Sequence, residues 1–161
     1  MLDDTTRYMQ MALMEAQKAA DAGEVPVGCV IISEDNLVLG KAHNLRETLQ
    51  DPTAHAEVLA ITQAAASLGS WRLENTRMYV TLEPCPMCAG AIILSRIHEV
   101  YYGAEDPKAG CAGSLMDLLT DPRFNHQPNV VPGILREECG GILSDFFRAI
   151  RAGKRSKPGI E

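Results

Sequence analysis

No stretch of this chain strings together the roughly eighteen apolar residues that a membrane-spanning helix needs, so no segment reads as a span. A basic segment leading into an apolar one is missing near the start, where MLDDTTRYMQ is acidic instead, and no secretory signal is expected. Cysteine is scarce and scattered. The five residues Cys29, Cys85, Cys88, Cys111 and Cys139 are an odd number, unsuited to a disulfide framework. Together with the missing signal, this usage points to reduced thiols in a cytoplasm. An excess of positive charge is also absent. Fifteen Lys and Arg against 21 Asp and Glu leave a net charge of −6, which argues against wholesale coating of nucleic acid. Internal repeats, low-complexity tracts and linkers are missing too, so 161 residues fit one domain, expected over residues 1–152. Residues 153–161 read as a basic, disordered tail.

What is present is ordinary in bulk. The content of 46% hydrophobic and 22% charged residues is that of a soluble globular protein. A chain of this size buries roughly 70% of its unfolded surface and needs no covalent staples. Charge is uneven, however. Arg148, Arg151, Lys154, Arg155 and Lys157 gather near the end of the sequence. Such a run is commonly a solvated helix end, and it also suits a local phosphate contact.

Local pattern predicts the elements. Asp3 and Asp4 stand where a cap belongs, and Tyr8, Met9, Ala12, Leu13, Ala16, Ala19 and Ala20 follow at helical spacing up to Gly23. VPVGCVIIS and LVLGKAH read as a hairpin turning at Glu34-Asp35-Asn36. Residues 44–53 read as a polar loop, and a helix runs from His55 to near Gly69. RMYVTL is a strand, and Pro86 suits the first turn of the next helix, where a missing N–H goes unnoticed. EVYYG is a strand, SLMDLL a brief helix, NVVPG a weak strand, and LREECGGILSDFFRAIRAG a last amphipathic helix. Five strands interleaved with helices predict an α/β architecture, a mixed sheet covered on both faces.

Chemistry is concentrated in two short motifs. TLEPCPMCAG places Cys85 and Cys88 three apart at a helix start, so both sulfurs point the same way beside the positive helix end. The pair fits a redox couple, half of a structural zinc knot, or two ligands of a reactive metal. The second motif, PTAHAEVLA, offers His55 and Glu57. A histidine at a helix start is commonly a polar cap, and a first-turn glutamate commonly answers the helix dipole. Neither reading explains why H-x-E opens one helix and P-C-x-x-C the next. Residues two apart on an ideal helix lie about 200° apart, so Glu57 meets a metal on His55 only if His55 sits at the helix boundary. One His and two Cys are one ligand short of a closed structural zinc site, and none of the remaining Cys or His stands in a paired motif. An open site with water in the fourth position is the preferred reading, with Glu57 as its proton carrier.

His55-Ala56-Glu57 followed by Pro84-Cys85-Pro86-Met87-Cys88 resembles the cytidine/deoxycytidylate deaminase superfamily. GEVPVG (23–28), HNLRE (43–47), YVTLEPCPMCAGA (79–91), GAEDPKAGCAGSLMDLL (103–119), FNH (124–126) and ECGGILSDFFR (138–148) resemble its bacterial tRNA-specific adenosine deaminases. The resemblance implies a three-layer α-β-α, cytidine-deaminase-like fold. It also implies hydrolytic conversion of adenosine to inosine at the wobble position of a tRNA anticodon. By the same resemblance one Zn²⁺ per subunit sits on His55, Cys85 and Cys88, and Glu57 shuttles protons. Val27 and Asn44 match positions at the base pocket, and Asp106 and Asn125 match positions at neighbouring nucleotides. Phe147 would stack on an exposed base, and Lys108 and the terminal arginines would touch phosphate. The family is homodimeric, with the apolar IILS run of the Cys88 helix a candidate interface. A deaminase of a free base or nucleoside (guanine, cytosine or cytidine) is the alternative within the same superfamily.

Overall fold

A computed structural model describes residues 3–154. Most of the expected tail, including Arg155 and Lys157, lies outside the described residues. The elements in chain order are α1 (Asp4–Asp21), β1 (Gly28–Ile32), β2 (Val38–His43), α2 (Arg46–Leu49), α3 (Ala56–Leu68), β3 (Arg77–Leu82), α4 (Pro86–Ser95), β4 (Glu99–Ala104), β5 (Asn129–Val131) and α5 (Arg136–Arg151). They build one mixed sheet in the order β2-β1-β3-β4-β5. Strand β1 pairs antiparallel with both β2 and β3, while β3–β4 and β4–β5 are parallel. Four strands therefore run one way and β1 alone runs the other.

The period-2 alternation of the strands sorts side chains into two cores. Cys29 and Ile31 of β1, Met78 and Val80 of β3, and Val100 and Tyr102 of β4 pack with Ala56, Ala60 and Ala64 of α3 and Ala89 and Ile92 of α4. Val30, Ile32 and Tyr79 face the opposite way, onto Tyr8, Met9 and Ala12 of α1 and Cys139 of α5. Helices cover both faces, giving three layers. Small residues set the spacing of the layers: a Cβ at Gly28 would lie 1.9 Å from the Ala12 carbonyl oxygen, so α1 seats against β1 only over a glycine. No helix among the described residues is long and apolar enough to cross a membrane.

Two local expectations are corrected. SLMDLL does not form a helix: residues 114–119 make turns and an isolated bridge between Ala112 and Asp117. Its amides are engaged elsewhere, with the Ser114 N–H on the Glu83 carboxylate and the Leu118 N–H on the Cys111 carbonyl. Conversely, the loop expected over residues 44–53 contains the four-residue turn α2.

Glu15 ties α1 to the edge of the sheet. Its carboxylate, on a residue 4% exposed, accepts from Lys18 Nζ at 2.6 Å and meets His43 Nδ1 of β2 at 3.2 Å. Burial raises its pKa, but the hydrogen bonds of Lys18 and His43 outweigh this and hold it below the ordinary 4.5. A carboxyl lowered on folding stabilises the fold above its ordinary value, and the contribution is lost as pH falls through the native value. Glu15→Gln is expected to cost about 2 kcal/mol at neutral pH, the worth of hydrogen bonds to a charged group. The gap between variant and parent should close on the acid side of 4.5. Urea unfolding followed from neutral to acid pH measures both.

Candidate active site

The carboxyl ends of β2, β3 and β4 and the amino end of β1 meet along one edge of the sheet, the place where open α/β sheets hold ligands. A cavity of about 160 Å³ opens there. Val25 and Val27 line it from the approach to β1, and Asn44 and Arg46 from beyond β2. Glu83 and Cys85 enter at the end of β3, and Asp106 and Ala109 beyond β4. The start of α3 supplies His55, Ala56 and Glu57.

His55 and Cys85 are both N-cap residues with extended backbone, at φ −78°, ψ 150° and φ −76°, ψ 176°. Extended geometry turns the His55 ring off the end of α3, which makes no capping hydrogen bond with it. Pro86 opens α4 as expected, and Cys88 lies in its first turn, fully buried. The donor atoms of His55, Cys85 and Cys88 all lie within 4.8 Å of one another. His55 Nδ1 is 3.6 Å from Cys85 Sγ and 3.5 Å from Cys88 Sγ. Tetrahedral zinc bonds of about 2.3 Å to sulfur and 2.0–2.1 Å to nitrogen set those atoms about 3.6 Å apart. The trio has the spacing of ligands around one small ion, and its imidazole and sulfur donors suit zinc.

Electrostatics favour a charged sulfur. A hydrogen bond from the Cys88 thiol, with others from His55 and the Cys88 amide, holds Cys85 down at about 4. Cys88 is raised by its hydrogen bond to Cys85 and by burial, so one proton is shared and Cys85 is the thiolate. His55 is raised, first by its hydrogen bond with Cys85. Glu57, 4% exposed, is lifted by burial to about 7, with the negative Cys85 adding to the rise. A carboxyl balanced near neutrality both accepts and releases a proton readily.

The structure therefore brings His55, Glu57, Cys85, Cys88, Val27, Asn44 and Asp106 to one cavity. Asn44 is held locally: its Nδ2 donates to the Val25 carbonyl at 3.2 Å and its Oδ1 accepts from the Arg46 amide at 3.0 Å. Asp106 Oδ1 accepts from the amides of Lys108 and Ala109 in the turn that its pairing with Pro107 suggests. Asn125 and Phe147 do not line the cavity. Asn125 is exposed just ahead of β5, beside His126, whose Nε2 lies 2.7 Å from the Ile97 carbonyl at the opposite edge of the sheet. Phe147 stands 40% exposed on α5, edge-on to Phe146. Arg46 and Glu83 also line the cavity and were not among the expected site residues. An acid flanked by RMYVTL and Pro84 was a visible signal for Glu83; Arg46 in a polar loop carried none.

The MafB19-like deaminase family matches residues 3–151. That match and the cytidine-deaminase-like layering put the chain in the deaminase class. A tRNA-specific adenosine deaminase of Bacillus subtilis is 56% identical over 149 residues, covering 92% of either chain. A structure solved in studies of A-to-I editing by tRNA:A34 deaminases at the wobble position of transfer RNA is 43% identical. It superposes with a TM-score of 0.82 over 86% of this chain and 99% of its own. The guanine deaminase of Bacillus subtilis is 32% identical with a TM-score of 0.62, covering 94% of this chain and 95% of its own. The chain belongs to the tRNA-specific adenosine deaminase family.

His55→Ala and Cys85→Ser are each expected to weaken metal affinity by more than about 100-fold, beyond what loss of an outer-shell partner costs. Glu57→Gln should keep the metal. Metal analysis of the three variants, purified without chelator, checks this.

Proposed function

We propose that this chain hydrolyses the C6 amine of adenosine at the wobble position of a tRNA anticodon, releasing ammonia and leaving inosine. One zinc ion per subunit would sit on His55, Cys85 and Cys88. The observation that carries the reading is the His55, Cys85 and Cys88 trio, its donor atoms within 4.8 Å of one another, with the buried carboxyl of Glu57 on the wall of the same cavity. Bound there, zinc supplies the acidity that makes a water nucleophilic near neutral pH. Glu57 takes one proton from the attacking water and gives it to the ring nitrogen. It then carries the second to the departing amine, so a single carboxylate is base and then acid.

The rest of the cavity orients the base. An adenine stacked in its loop hides C6, so it must be splayed outward, which an anticodon loop permits. Val27 offers an apolar wall. Asn44 keeps one amide proton and one lone pair beyond its local bonds for the nucleoside. Asp106 Oδ2 faces a neighbouring nucleotide in this reading, and Lys108 the phosphates. Asn125 and Phe147 reach RNA only outside the cavity. Residues 1–152 act as one domain in the cytoplasm, paired with a second copy through α4. Leu94 of that helix is 70% exposed and supports the pairing, whereas Ile92 and Ile93 are buried in their own core.

The guanine deaminase likeness favours a second reading, in which the substrate is a free base or nucleoside. The experiment offers an anticodon stem-loop with a wobble adenosine beside free adenosine, guanine, cytosine and cytidine, with products read by mass spectrometry. Turnover of the RNA is expected, and Glu57→Gln should slow it about 10²- to 10⁴-fold. Turnover of a free base alone would replace this reading by the second.

A further inference from the structure

We propose that Glu24 and Glu83 are positioning residues, two buried carboxylates that hold the loops carrying Asn44, Arg46 and Asp106 around the active-site cavity. The inference rests on reading that cavity as the substrate site. It assigns to these residues the affinity for substrate and not the proton transfers.

Four charged residues are buried among the described ones, Glu15, Glu24, Glu57 and Glu83. Glu15 pairs with Lys18 and His43, and Glu57 faces the His–Cys–Cys trio. Glu24 and Glu83, 0% and 2% exposed, form no ion pair among the described residues. An uncompensated buried carboxylate is strongly unfavourable, so the compensation must come from hydrogen bonds. Glu24 Oε1 accepts from the Glu47 amide at 3.0 Å, and its Oε2 from the Thr48 amide at 2.6 Å and the Thr48 hydroxyl at 2.7 Å. Glu83 Oε1 accepts from the Asp106 amide at 3.0 Å and the Ser114 hydroxyl at 2.5 Å. Its Oε2 accepts from the amides of Ala112 and Ser114, both at 3.0 Å.

All these donors belong to the two loops. The hydrogen bonds within each loop are mostly local turns, such as Gln50 N–H to the Glu47 carbonyl and Gly110 N–H to the Asp106 carbonyl. Helix α2 is four residues long, below what sustains a helix alone, and its N-cap Leu45 offers no side-chain acceptor. Glu24 supplies the missing acceptor from 23 and 24 residues away. Residues 105–119 hold turns and an isolated bridge, and they fold over Glu83 closely. A Cβ at Gly110 would lie 2.3 Å from the Glu83 carboxyl carbon, so any larger residue there would push the carboxylate off its donors. Glu24 acts from behind the cavity and Glu83 from its wall, and what they order is the rim: Asn44 and Arg46 on one side, Asp106 on the other.

The donor pattern demands a carboxylate. Both oxygens of each glutamate face N–H groups, so a glutamine must turn its own NH₂ against a donor and leave it unsatisfied.

The test uses Glu24→Gln and Glu83→Gln in the full chain, assayed on the wobble-adenosine stem-loop and on guanine. Whichever substrate the parent turns over reads the KM and kcat of the variants. KM is expected to rise about ten- to hundredfold, the loss from leaving a buried polar group unsatisfied, with kcat nearly unchanged and zinc retained. Amide exchange should quicken at residue 48 in the first variant and at 112 and 114 in the second, each in its own loop only. Thr48→Val and Ser114→Ala remove one donor from the loop side, guard against misfolding of the glutamine variants, and should raise KM several-fold. Unchanged KM, a fall in kcat at constant KM, or unaltered amide exchange overturns the inference. Turnover of guanine without RNA overturns the proposed substrate and leaves the KM ratios readable.

Discussion

Two helix N-termini aimed at one point are the constraint on which the site depends. The positive ends of α3 and α4 would repel one another across the cavity without a negative group between them. Cys85, held as a thiolate at about 4, is that group. The residues at the two N-cap positions, His55 and Cys85, make no capping hydrogen bond and turn their side chains to the shared point. Extended backbone at both positions removes the 200° problem of an H-x-E motif. The histidine leaves the helix axis while the glutamate remains in the first turn, and the two meet at one place.

Strand polarity does the rest. Because β1 runs against the other four strands, its amino end lies level with the carboxyl ends of β2, β3 and β4. Four connections distant in sequence then rise from one edge of the sheet around the trio. The same polarity puts Asn125 elsewhere. The chain leaves β4 at the cavity edge and must return along the sheet before β5 begins, so residues just ahead of β5 stand at the other end. Family motifs marked Asp106 and Asn125 alike, but the topology separates them.

Where a segment's fate is decided within itself, the sequence is legible. RMYVTL is rich in strand-forming residues and becomes β3 at the expected residues, and Pro86 opens α4. Asp3 caps α1 by accepting from the Thr6 amide at 2.8 Å. The His–Cys–Cys trio was legible for the same reason, since each motif carries its own helix start. SLMDLL and residues 44–53 were misread because distant carboxylates decide them. Glu83 takes the Ser114 amide from 31 residues away, and Glu24 takes the Thr48 amide from 24. Helical spacing in a six-residue stretch does not compete with a buried charge seeking donors.

The surroundings of the buried glutamates also set Glu57, the proton carrier of the proposed reaction, apart from the rest. Burial raises Glu15, Glu57 and Glu83, and what separates these three is the company each keeps. Lys18 and His43 bring Glu15 back below its ordinary value, and the amides and hydroxyl of the 106–114 loop do the same for Glu83. Glu57 has its own backbone amide, Cys88 and His55 to offset burial beside a negative Cys85, and it stays near 7. A carboxylate saturated with donors is locked as an anion and can only hold structure. One that is buried and undersupplied can change its protonation state at neutral pH, which a group acting as base and then acid must do. The role proposed for Glu57 thus draws on the donors withheld from it as much as on its place beside the trio.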